Sequence, residues 1–102
     1  MHYQKLVRDK IPEIIEAQGE LPIYRILDSS EFSQCLLQKL DEEVSEYHSG
    51  KNIEELADIL EVVFALAETM GYSRAELMNV YQEKHTRRGG FSRRIFLISK
   101  EG

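Results

Sequence analysis

Apolar residues in this chain recur at helical spacing over three long stretches. Phe32, Leu36, Leu37, Leu40, Val44 and Tyr47 line one face of a helix running to about His48. Asp28-Ser29-Ser30-Glu31 opens it as a capping pattern, and Ser49-Gly50 ends it. Asn52 caps the next helix, Ile53 to Met70, in which twelve of eighteen residues are apolar, more than one buried face needs. Such a helix is central in its fold or buried against another subunit. Gly71 terminates it, and Ser73-Arg74-Ala75-Glu76 is a second capping box. The helix that follows carries Leu77, Val80 and Tyr81 inward and reaches about Arg88, before Gly89-Gly90. Upstream, Pro12 suits the first turn of a short helix that runs to about Gln18 and stops at Gly19. Leu21 to Leu27 (LPIYRIL) and Arg94 to Ser99 (RIFLIS) read as short strands that pair with each other. The pattern predicts a mainly α fold, an antiparallel helical bundle with a short β pair.

The polar positions change the picture most. From Asp41 to Glu61 there are eight carboxylates and one lysine, Lys51. Four of the acids form two pairs, Glu43-x-x-Glu46 and Glu55-x-x-Asp58, one on each of two consecutive helices. Residues three apart on a helix point the same way. A short turn makes the two helices antiparallel neighbours, so the pairs converge. An acidic helix stripe is ordinarily a solvated face, but such a face mixes signs to gain i,i+4 pairs, and this one does not. Converging like charges need a cation, and Mg²⁺ or Mn²⁺ is the hard ion that suits carboxylate oxygens. A di-iron centre would need Glu-x-x-His, yet Ser45 and Gln82 stand three residues before His48 and His85. No EF-hand loop is present.

Length and composition set the frame. With 102 residues, 42% hydrophobic and 30% charged, the chain is sized for one globular domain over residues 1–102. The net charge of −5 argues against general nucleic-acid binding. Cys35 is the single cysteine, so a thiolate metal site and an internal disulfide are excluded. Met1-His2-Tyr3-Gln4 lacks signal-peptide character, and the longest apolar run, Val62 to Ala67, is too short to cross a bilayer. A cytoplasmic protein is expected. The positive charge is concentrated at Lys5, Arg8 and Lys10 and at Lys84, Arg87, Arg88, Arg93 and Arg94. These can clamp phosphate oxygens. Lys84 and Arg87 equally suit the negative end of a helix dipole.

Glu42-Glu43-x-x-Glu46 followed by Glu55-x-x-Asp58 resembles the acid pattern of the MazG-like, all-α nucleotide pyrophosphohydrolases. That family includes phosphoribosyl-ATP pyrophosphohydrolase and the dimeric dUTPases. The opening Tyr3-x-Lys5-Leu6-Val7-Arg8-Asp9-Lys10-Ile11-Pro12 and the closing Lys84-x-x-Arg87-Arg88-Gly89-Gly90-Phe91 resemble a small phosphoribosyl-ATP pyrophosphohydrolase-like branch. The resemblance covers nearly the whole chain. It implies hydrolysis of a nucleoside triphosphate between the α and β phosphates. Glu43, Glu46, Glu55 and Asp58 would bind Mg²⁺ or Mn²⁺, and Glu42 or Glu61 would orient or deprotonate the attacking water. In true phosphoribosyl-ATP hydrolases a histidine follows the Asp-containing motif; here Asp58 is followed by Ile59-Leu60-Glu61-Val62. That points away from the histidine-biosynthetic substrate.

Two other readings stand beside this one, a non-enzymatic helical adaptor with a solubilising acidic stripe and phosphoribosyl-ATP pyrophosphohydrolase proper. The excess apolar surface of the Ile53–Met70 helix predicts a homodimer or a dimer of dimers.

Overall fold

Three side-chain caps set the helix starts. Asp28 Oδ1 accepts from the Glu31 N–H at 2.8 Å, Asn52 Oδ1 from the Glu55 N–H at 3.0 Å, and Ser73 Oγ from the Glu76 N–H at 3.1 Å. Each satisfies an amide that the first turn of a helix leaves without a partner. The computed structural model describes residues 4–102. Its four helices are α1 (Ile11–Ala17), α2 (Ser29–Gly50), α3 (Ile53–Thr69) and α4 (Arg74–Arg88). Tyr3 of the opening motif lies outside the described residues. No helix among those residues is long and apolar enough to cross a membrane.

The fold is built on the α2–α3 hairpin, two helices packed along each other and joined by Lys51 and Asn52. Its buried apolar side chains are Leu36 from α2 and Val62, Phe64 and Ala67 from α3. Helix α4 packs on α3 alone. The Arg74 guanidinium lies 4.2 Å from the centre of the Phe64 ring and fastens the start of α4 there. The N-terminal segment is tied to α3 by Arg8, whose Nη2 is 2.7 Å from Asp58 Oδ1.

This protomer is open. Its accessible surface is 9553 Å², whereas a compact monomer of 11.9 kDa exposes about 6,000 Å². The radius of gyration is 18.2 Å, against about 13 Å for a compact chain of this length. Ile53, Met70, Ile23 and Ile26 are all largely in solvent. Few apolar side chains among the described residues are buried.

Three expectations are corrected here. The β pair does not form: among the described residues neither Leu21 to Leu27 nor Arg94 to Ser99 is a strand. A lone two-stranded pair is marginal in water without a third strand or a packed face, and the protomer supplies neither. Val80 and Tyr81 do not face inward but are about half exposed, while Leu77 is half-buried. Finally, α2 runs through Gly50 and stops at Lys51, which takes the left-handed conformation (φ 52°) and donates its N–H to Tyr47 O. Gly50 has a different task. A Cβ there would stand 3.3 Å from Glu55 Oε1, so its absence makes room for the Glu55 side chain.

A non-glycine residue in the left-handed region is strained by its Cβ. Lys51→Gly should therefore stabilise the protein by about 0.5–1 kcal/mol, and Lys51→Ala should not. Thermal denaturation of the two variants against the parent checks this, and an unchanged or lower midpoint for the glycine variant would contradict it.

Candidate metal centre

Glu43 is the only buried polar or charged residue among the described residues, 6% exposed. Helical spacing points it from the middle of α2 toward α3, where Glu55 and Asp58 stand on the opposing face. One carboxylate oxygen from each of Glu43, Glu55 and Asp58 lies within 4.8 Å of the others. A second group of the same tightness joins Glu42, Glu43 and Glu46 on α2. Glu43 belongs to both, so the acid cluster is continuous across the hairpin.

The position of Glu55 follows from its cap. Asn52 starts α3 at residue 53, which places Glu55 in the first turn, at the positive end of the helix dipole. Asp58 is one turn further on. Of the four ligands the acid pattern suggests, Glu43, Glu55 and Asp58 therefore meet, while Glu46 meets Glu43 and Glu42. Glu61 is exposed and belongs to neither group.

Two cations reach the cluster. Lys39 Nζ lies 3.3 Å from Glu43 Oε1 and 3.6 Å from Glu42 Oε1, and Arg8 holds Asp58. Lys39 was not among the candidates that sequence reasoning raised. Its signal was the i,i+4 spacing to Glu43, just upstream of the acidic run. These contacts leave one group unsatisfied: Glu43 Oε2 is buried and has no hydrogen-bond partner. Burial raises the pKa of the Glu43 carboxyl above the ordinary range. The neighbouring Glu46 pushes it the same way, and Lys39 opposes.

This donor set fits a hard divalent cation. Carboxylates from two helices converge with oxygen atoms only, and one of those oxygens is buried with nothing to bind it.

The basic residues lie elsewhere in the protomer. Lys84, Arg87 and Arg88 end α4, Arg93 and Arg94 follow Gly89-Gly90, and all five are exposed. No ion pair among the described residues links them to the cluster. Gly89 stops α4 with φ 78°. Phe91 is 97% exposed. Lys5 and Arg8 line a groove of about 760 Å³, and Lys10 directly precedes α1 without a side-chain cap bond to it.

No family model matches the chain. An uncharacterized protein of Mycolicibacterium smegmatis (strain ATCC 700084 / mc(2)155) is 52% identical over 46 residues, 45% of this chain and 47% of that protein. The chain spans about half the length of the relative it matches. No solved structure matches it.

For a carboxyl whose folded pKa is raised, the folded state binds the proton more tightly than the unfolded state. Stability then rises as pH falls through the folded pKa, and the gain is complete below the unfolded value. Without metal, the protein should gain stability on acidification from neutral pH toward 4.5, the ordinary Glu value. Glu43→Gln should flatten that dependence and stabilise the metal-free protein at neutral pH by about 1 kcal/mol, by removing a poorly satisfied buried charge. Urea denaturation at a series of pH values in chelator measures both effects.

Proposed function

We propose that the chain is a Mg²⁺- or Mn²⁺-dependent nucleotide pyrophosphohydrolase of the MazG-like kind. It cleaves a nucleoside triphosphate between the α and β phosphates, giving a monophosphate and pyrophosphate. The observation that carries this reading is the buried, unpartnered Glu43 oxygen at the centre of a two-helix carboxylate cluster.

Glu43, Glu55 and Asp58 hold the cation, with Glu46 at the edge of the set. When bound, the ion supplies positive charge to the polyphosphate oxygens and acidity to water. Glu42 accepts the proton of the attacking water; it belongs to the cluster, whereas Glu61 does not. A bond forms from the water oxygen to the α-phosphorus as the bond to the departing pyrophosphate breaks. Arg8 and Lys5, on the groove edge beside Asp58, neutralise phosphate oxygens on one side. Lys84, Arg87, Arg88 and Arg93, with Lys10, supply the remaining positive charge. A homodimer or a dimer of dimers brings the basic end of one chain toward the cluster of another. The expected setting is the cytoplasm, and the house-cleaning of nucleotide pools is the role such chemistry serves. Phosphoribosyl-ATP is the less favoured substrate, because Asp58 is followed by Ile59-Leu60-Glu61-Val62 and not by the histidine.

The exposed Met78, Val80 and Tyr81 on α4 favour a second reading, a helical adaptor. Metal separates the two. A real site is stabilised by millimolar Mg²⁺ through mass action, and an adaptor is not.

A screen of ordinary and modified nucleoside triphosphates with Mg²⁺ or Mn²⁺, resolving pyrophosphate from phosphate, tests the activity. Pyrophosphate release is expected; its absence from every substrate would remove the enzyme reading. Asp58→Asn and Glu46→Gln should each lower turnover by more than about tenfold while the fold is retained. Arg88→Ala should weaken nucleotide binding by about 1.5–3 kcal/mol and leave metal affinity unchanged. Equal loss of both affinities, measured by calorimetry, would make Arg88 a structural residue of the helix end.

A further inference from the structure

Two segments of this chain have strand composition and no ladder. Residues 21–27 (LPIYRIL) and 95–98 (IFLI) lie outside every helix, and none of their amides or carbonyls makes a backbone–backbone hydrogen bond among the described residues. Their apolar side chains are in water: Ile23 is 92% exposed, and Ile26, Phe96 and Ile98 are each at least 85% exposed. Segments rich in Ile and aromatic residues with free backbone groups are templates for strand pairing. A monomer rarely leaves such contiguous apolar surface uncovered.

We infer that residues 95–99 of one chain pair as a β-strand with residues 21–27 of a second copy, and reciprocally, in a two-fold dimer. Three observations select a second copy as the occupant. The free segments are seven and five residues long, and every chain carries one of each, so a two-fold axis satisfies both pairings at once. The chain exposes 9553 Å², roughly 3,600 Å² more than a compact chain of its mass, well above the ~800 Å² that each partner buries in a standard interface. A groove of about 760 Å³ lined by Leu6, Val7, Ile23, Ile26, Leu27 and Phe32 runs beside the first segment, with room for alternate side chains of an added strand.

The pairing has a consequence for the metal centre. The groove is also lined by Arg8, which holds Asp58. A strand seated there carries Arg93 and Arg94 of the second copy to the same side as Arg8. That consequence rests on the proposed activity; the pairing itself does not.

Two single-cysteine proteins test the pairing, Ile23→Cys and Leu97→Cys, each full length and in a Cys35→Ala background. The two are mixed under conditions that exchange subunits and treated with a short thiol cross-linker. A denaturing gel should show a band at twice the protomer mass, and peptide mass spectrometry should find residue 23 joined to residue 97. A chain carrying both cysteines should link between molecules as well. Amide hydrogen exchange on the unmodified protein provides a measurement free of substitutions, with residues 23–27 and 95–98 protected together and released on dilution to monomer. A link confined within one chain, no link in the mixture, or rapid exchange of both segments in the undiluted protein would overturn the inference. Pyrophosphate release is not a readout here, so the pairing can fail while the activity stands, or the reverse.

Discussion

Everything specific about this structure turns on one buried carboxylate. Placing Glu43 between α2 and α3 removes it from water, and an ionised group in that position is costly unless its charge and its lone pairs are met. Lys39 meets one oxygen, at 3.3 Å. The other has no partner. Glu55 and Asp58 converge on the same point from α3, which adds repulsion to the desolvation cost. A fold with only Leu36, Val62, Phe64 and Ala67 buried as apolar core among the described residues gains little stability by such an arrangement. The proposed hard cation would reconcile it, because the features that destabilise the hairpin alone are those that make a good oxygen cage.

The second constraint is the thinness of that core. Two helices and a loosely attached third leave the outer faces of α3 and α4 wet, together with both apolar tails. In the proposed reading, the acidic hairpin and a partner copy are therefore linked. The helices that carry the acids are too few in one chain to bury their own apolar positions, and most of the positive charge sits on exposed segments outside them. In the dimer proposed above, assembly would close the core and bring the charge to the cluster in a single step.

Much of this was legible in the sequence where short-range chemistry decides. Asp28, Asn52 and Ser73 each accept the amide three residues on, as the capping patterns suggest. The Ser73–Glu76 box closes in both directions, with Ser73 N–H donating to Glu76 Oε1 at 3.0 Å. At Asp28 the box is half made, since Glu31 turns instead to Arg25 at 2.6 Å. The meeting of Glu43 with Glu55 and Asp58 was legible because a two-residue turn fixes which positions of an antiparallel hairpin face each other. The separate grouping of Glu46 with Glu42 was not, since helical spacing gives direction but not side-chain reach. The Lys51 stop was hidden because glycine is the usual left-handed residue and Gly50 stood next to it. Strand pairing of Leu21 to Leu27 was read from composition, whereas a strand exists only with a partner, and the protomer holds none.

The most direct measurement is electron paramagnetic resonance of Mn²⁺ titrated into the protein, which reads bound and free ion separately and needs no substrate. The signal of free Mn²⁺ should be suppressed until a fixed stoichiometry per chain is reached, and Glu43→Gln, still folded by circular dichroism, should lose that suppression. Equal Mn²⁺ binding by the parent and the Glu43→Gln protein, or none by either, would contradict the account.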